Sequence, residues 1–188
     1  RSKRPGELRL VSVGRIAVEK NTLFAIECLR QVTGEVTFDL YGPIYDQAYW
    51  QQCRASIATL PPNVKVEHKG SIDPELVPAL FADYHALFMP SLGENFGHSM
   101  AEALATGLPL LISDRTPWRG LEEKRAGWDI SLEDREGFDR AIAELIGMDA
   151  DAHSNIRNAG KQLSATNGSN AIVDRTIELL TSVPLPLL

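Results

Sequence analysis

Two glutamates eight positions apart, Glu94 and Glu102, flank the turn Asn95-Phe96-Gly97 in "SLGENFGHSMAEALATGLPLLISD" (91–114). The residues from His98 onward read as a helix, so one acid stands in a loop and the other inside the helix. Backbone N–H groups at a helix start are free of intrahelical partners, and the macrodipole adds positive potential there, so an anion is favoured. Each carboxylate can accept hydroxyl hydrogen bonds, and charged acceptors are stronger than neutral ones. The chemistry this suits is a polyhydroxylated ligand carrying phosphates. The bland alternative is a capped amphipathic helix with a solvated acid. Against it, Glu102 has apolar neighbours in Ala101, Ala103, Leu104 and Ala105, as in a mostly buried helix. A glycosidase pair fits poorly: eight helical residues rise about 12 Å, beyond the roughly 5–9.5 Å that paired carboxylates need, unless a bent loop shortens the path.

Cations stand elsewhere. "VGRIAVEKN" (13–21) places Arg15 and Lys20 around a loop that begins at Gly14 and enters a helix near Asn21. Cations beside a helix start make an anion site, though the loop lacks the GxxxxGK[ST] pattern of a P-loop. His98 follows "FG" and could approach a phosphate or sugar, or serve as a surface or capping residue. In "SDRTPWRGL" (113–121), Trp118 reads as packing rather than recognition, with Arg115 and Arg119 beside it. His68, His85 and His153 have no partners at metal-ligand spacing and read as structural or solvated; no HxH or HExxH pattern suggests a metal.

The elements that must position these residues alternate. Apolar periodicity predicts strands at 8–13, a nearly continuous apolar run, at 36–42, in "NVKVEHKG", at 86–91 and at 108–114, with 127–131 a last short strand or bridge. Between them lie predicted helices: one from Asn21 as N-cap through "TLFAIECLRQV", "DQAYWQQCRASIATL", "DPELVPALFADY" with Asp73 as N-cap and Pro74 at its first position, and "HSMAEALATG" closed by Gly107. Beyond Trp118 come "DREGFDRAIAELIG", a helix from Asp149 through Leu163, and a final one in "SNAIVDRTIELLTSV" before a "PLPLL" tail that could dock elsewhere. This alternation predicts an α/β, Rossmann-like doubly wound parallel sheet with helices on both faces. Ligands of such sheets bind outside the carboxyl ends of the strands, where "GRIAVEKN", "YGPIYD", "HKGSID", "SLGENFG" and "SDRTPWRG" all fall. Gly42, which ends the second strand, belongs to the same mouth.

Composition sets the bounds. The 188 residues are 44% hydrophobic and 23% charged, enough for a real core. A net charge of -6 argues against nonspecific nucleic-acid binding but not against a small anion met by a few local cations. Cys28 and Cys53 form no metal or disulfide pattern and read as buried reduced thiols, which points to a cytoplasmic setting. The start "RSKRPGELRL" is no signal peptide and resembles a linker entering a first strand.

Taken together, "VSVGRIAVEKN", "VKVEHKGSIDPELVPALFADYHALFMPS" and "ENFGHSMAEALATGLPLLISD" resemble the C-terminal, donor-binding half of a GT-B retaining glycosyltransferase of family 4, the group 1 glycosyltransferases. The resemblance runs from about residue 8 to about residue 145 and rests on E-x7-E with F-G after the first acid, and on G-R-x4-K upstream. It implies a single nucleotide-sugar-binding domain over 1–188, with a core at about 8–145, C-terminal helices at about 149–183, and the N-terminal acceptor domain absent from this chain. It implies that Arg15 and Lys20 grip the donor diphosphate and that Glu94 binds hydroxyls of the transferred sugar, these three carrying the catalytic work. Asn95, Phe96 and Gly97 would face the sugar and β-phosphate, with His98 beside them, and Glu102 would bind the ribose. Lys69, Gly70 and Ser71 would lie near the base, and Gly14 and Gly42 complete the donor set. No metal or other cofactor is implied, because cations and helix N–H groups stabilise the leaving diphosphate.

The implied partners are a UDP- or GDP-sugar, the missing domain, and a glycan or lipid-linked acceptor in surface polysaccharide or lipopolysaccharide assembly. The full-length protein would be cytoplasmic or peripheral at the inner face of the membrane, and the isolated domain would have little transferase activity. Two rival readings are a UDP-sugar epimerase of the same architecture and a non-catalytic nucleotide-sugar-binding module.

Overall fold

Alternate residues of each central strand are apolar toward opposite faces, and the fold follows from that. The computed structural model describes residues 2–181, of which 167–181 by secondary structure alone. Six strands, β1 (Glu7–Val13), β2 (Glu35–Tyr41), β3 (Val64–Gly70), β4 (Ala86–Met89), β5 (Leu110–Ser113) and β6 (Gly127–Ile130), form one sheet in the order β3-β2-β1-β4-β5-β6. Every pairing is parallel. Leu10, Phe88 and Leu111 point into one apolar cluster with α1 (Thr22–Cys28), α2 (Gln47–Ile57) and α5 (Arg135–Gly147). Val11, Leu87, Met89, Leu110 and Ile112 point into a second cluster with α3 (Val77–Leu80) and α4 (His98–Thr106). Both faces are therefore dry at the centre of the sheet, where β4 and β5 are buried throughout and read as continuous apolar runs, whereas the edge strand β3 alternates buried or half-buried with exposed residues. The predicted doubly wound α/β sheet is the observed one.

Three local expectations need correction. Asn21 does stand at the N-cap position of α1 but does not cap it with its side chain: a 3-10 turn (Val18–Lys20) precedes it, its φ is 55°, and its amide donates to the Pro90 carbonyl at 3.1 Å. The helix that follows is short, ending at Cys28. The predicted helix from Asp73 is broken into a 3-10 turn (Pro74–Leu76), α3 and a second 3-10 turn (Phe81–Asp83). Pro78 supplies no N–H to the ladder and crowds the preceding turn. Asp73 nevertheless caps as expected, accepting the Glu75 N–H at 3.0 Å. The two C-terminal helices are one continuous helix, α6 (Ala150–Thr181), capped by Asp149, which accepts the Ala152 N–H at 2.8 Å. Ser, Asn and Gly in a helix interior each cost only about 1 kcal/mol or less relative to Ala, so a few of them after Leu163 need not end it. The "PLPLL" tail lies outside the described residues, as do the side chains of 167–181.

Cys28 and Cys53 are both buried and free. Among the described residues no helix is long and apolar enough to cross a membrane.

Candidate functional site

The strand order reverses direction between β1 and β4, and the loops that leave these two strands splay apart there. Such a switch point is where open α/β sheets bind ligands. A cleft of about 620 Å³ opens at this place, walled by the loops after β1, β2, β3 and β4 and by the first turns of α4. Gly14, Arg15, Lys20 and Gly42 line it on one side, with Ser71 from the loop after β3. Glu94 through His98, together with Glu102, line it on the other. Lys69 and Gly70 stand outside the lining: the Lys69 ammonium turns to Glu67 and to Asp39 (3.6 Å) along the sheet.

The β1 loop can pass the β2 loop only because residue 42 is glycine. Its φ is +141°, and a Cβ there would sit 2.1 Å from the Gly14 carbonyl oxygen. The loop is then tied to the β4 loop by the Asn21–Pro90 bond and by the Leu92 N–H donating to the Glu19 carbonyl at 2.8 Å. Across that junction the Lys20 ammonium pairs with the Glu94 carboxylate, both side chains largely shielded from solvent. Arg15 is more exposed. Its Nε pairs with Glu19 at 2.6 Å, and its guanidinium carbon lies 5.1 Å from the centre of the Tyr45 ring.

Gly97 is the N-cap of α4, with φ at 73°. Its carbonyl accepts the N–H groups of Met100 (2.9 Å) and Ala101 (3.0 Å). The His98 and Ser99 N–H groups have no intrachain acceptor among the described residues, as expected for a first turn facing a cleft. The His98 ring lies against Phe96 with centroids 4.6 Å apart, and Phe96 is over half exposed. Only the step from His98 to Glu102 is helical, a rise of about 6 Å, so less helix separates the two acids than their spacing suggested. Their surroundings separate them instead, for Glu94 is paired with Lys20 while Glu102 has no ion-pair partner among the described residues.

Several lining residues escaped the sequence reading. Glu19 is one; its i+4 spacing from Arg15 is the signal that could have found it. Val13, Tyr41, Ile72 and Val77 give the cleft an apolar wall; they sit at strand ends, in a loop and at the start of α3, where the local pattern says only "core". Among the described residues no three His, Cys, Asp or Glu side chains gather as a metal site.

A second titratable cluster lies at the amino end of β4. The Arg9 N–H donates to His85 Nδ1 at 3.1 Å, and His153 Nε2 bonds the His85 carbonyl at 2.8 Å. Both rings are buried. Burial, helped by the Arg9 and His153 charges, pushes His85 down to about 2, and burial lowers His153 as well.

The sequence profile of the glycosyl transferases group 1 family matches residues 1–163. No curated protein sequence matches the chain. Among solved structures it is similar to Anabaena HepE in complex with UDP and glucose, at 20% identity and a TM-score of 0.78, covering 95% of this chain and 49% of that one. It is similar to the C-terminal domain of a group 1 family glycosyl transferase from Francisella tularensis, at 20% identity and a TM-score of 0.70, covering 86% of each. The catalytic domain of the Helicobacter pylori cholesterol-alpha-glucosyltransferase is similar at 14% identity and a TM-score of 0.69, over 85% of this chain and 98% of that one. At such identities the likeness is one of fold. The chain spans about half the length of HepE and most of the length of the Francisella domain.

Proposed function

The chain belongs to the group 1 glycosyltransferases, and on that premise we propose that its switch-point cleft holds a nucleoside diphosphate sugar as the donor for glycosyl transfer. The observation that carries this reading is the meeting in one cleft of two cations, three acids and an unsatisfied helix start: Arg15, Lys20, Glu19, Glu94, Glu102 and the first turn of α4. In this reading the diphosphate lies between the two cations and the His98 and Ser99 N–H groups. Charge that develops on the departing diphosphate meets preorganised donors there, the electrostatic part of catalysis. These groups supply that stabilisation without a divalent metal. The incoming phosphates compete with Glu94 for Lys20, and the freed carboxylate accepts hydroxyl hydrogen bonds from the transferred sugar. Glu102 accepts from the ribose, and the apolar wall with Ile72 and Val77 flanks the base.

UDP is the first nucleotide to test, since HepE was solved with it; GDP is the second. Transfer of a hexose with retention, to a glycan or lipid-linked acceptor in surface polysaccharide assembly, completes the proposal by resemblance. The acceptor groups would come from a second domain, and the cytoplasmic face of a membrane is the fitting place. Calorimetry with UDP, GDP and uridine tests the donor site directly. Micromolar to millimolar binding of one nucleoside diphosphate is expected; a folded sample that gives no heat with either would sink the reading.

A further inference from the structure

The loop between β5 and β6 contributes no side chain to the cleft, yet it makes two of the bonds that shape the turn carrying Glu94. The Arg115 carbonyl accepts the Glu94 N–H at 3.1 Å. The Trp118 indole Nε1–H donates to the Phe96 carbonyl at 3.0 Å. The same nitrogen lies 3.3 Å from where a Cβ on Gly97 would be, so the indole is packed directly on the turn. The loop is itself held from below. Asp129 on β6 accepts the N–H groups of Gly120 (3.1 Å) and Leu121 (2.8 Å) and pairs with Arg119 Nε (3.1 Å). The Trp118 N–H donates to the buried Thr116 hydroxyl at 3.2 Å, and the indole packs on the core cluster beneath α4.

We infer that Trp118 is a positioning residue, bracing the Glu94–Gly97 turn from the β5–β6 loop so that the acid and the α4 N–H groups face the cleft together. Without the brace, the turn keeps the Glu94–Arg115 bond, the Lys20–Glu94 pair, the Phe96–His98 ring contact and the α4 cap, but loses its hold on the Phe96 carbonyl. The ligand arm of the test rests on the donor reading above; the other arm does not.

The test compares wild type with Trp118→Phe, which removes the N–H donor and keeps an aromatic body. Backbone ¹⁵N relaxation is expected to fall at residues 94–97 from rigid order parameters near 0.85 toward about 0.6, with the sheet unchanged. Affinity for UDP is expected to drop roughly threefold to tenfold, the scale of one hydrogen bond, with uridine affinity unmoved. A folded variant in which both the order parameters and the UDP affinity match wild type would overturn the inference. If wild type binds no UDP but the turn still loosens, the positioning role stands and the donor assignment falls. Should Trp118→Phe fail to fold, Thr116→Val reads the same brace by releasing the Trp118 backbone, and an unchanged turn there counts against it.

Discussion

Lys20 and Glu94 are joined by an ion pair across the β1/β4 switch point, although 74 positions separate them in sequence. With side chains only 18% and 13% exposed, the pair is better shielded than the 49% and 42% exposed Arg15–Glu19 pair beside it. A shielded pair is screened less by salt and holds its geometry better than an exposed one. The cation is thus stored against an acid at the place where phosphates would enter.

Lys20→Ala should weaken UDP by about tenfold or more, since a charged hydrogen bond contributes roughly 1.5–3 kcal/mol. Uridine, which lacks phosphates, should bind as before. Calorimetry with both ligands decides it; equal weakening of the two would contradict a diphosphate role.

Glu102→Gln keeps the shape of the side chain and removes its charge. UDP and uridine should both weaken, by a similar factor of about five, the difference between charged and neutral acceptors. A loss confined to UDP would move Glu102 from the ribose to the phosphates.

Gly97→Ala forces a β-carbon onto a backbone with φ at 73° and to within 2.9 Å of the Met100 sulfur. The left-handed conformation alone costs about 1–2 kcal/mol for a non-glycine residue. The urea midpoint should fall accordingly, and UDP affinity with it. A variant as stable as wild type would show that the turn relaxes without cost.

The two buried histidines make the domain acid-sensitive. Their folded-state values are lowered, His85 to about 2, while in the unfolded chain each protonates near the ordinary 6.5. Below pH 6.5 the unfolded chain therefore binds more protons than the folded one, and stability falls as pH drops through the window toward 2. The slope can reach about 1.4 kcal/mol per pH unit for each histidine. Urea melts from pH 8 to pH 4.5 should show a plateau above 6.5 and a decline below it, and His85→Gln should make that decline shallower.

Cys28 and Cys53 should be unreactive toward thiol reagents in the native protein at pH 8. Both are buried, and burial pushes their thiols up to about 12 and about 11. Both should titrate once the chain is unfolded; prompt reaction of either in the native state would contradict the packing around α1 and α2.

Much of this was legible in the residues. The central strands announced themselves because a parallel sheet covered on both faces calls for largely apolar runs, nearly continuous in Leu8–Val13 and unbroken in Ala86–Met89. Asp73, Asp149 and Gly107 marked helix ends because capping is a matter of neighbouring backbone groups. Gly14, Arg15, Lys20, Gly42, Ser71, Glu102 and the run from Glu94 to His98 were picked out as a set, and they do line one cleft. Asn21 holds the N-cap position it was read for, but its amide goes to Pro90 in a distant loop, which no local pattern shows. Lys69 does not line the cleft; its ammonium meets Glu67 and Asp39 along the sheet, a contact no local pattern shows.

The sequence by itself determined the alternation of elements and the kinds of groups at the strand ends, because periodicity, capping and turn chemistry act over a few residues. Tertiary structure alone decided that β1 lies beside β4, that Lys20 meets Glu94, and that Trp118 reaches the Phe96 carbonyl. Those contacts depend on which strands pair and how closely two loops pass, and no local pattern encodes a meeting between groups so far apart in the chain.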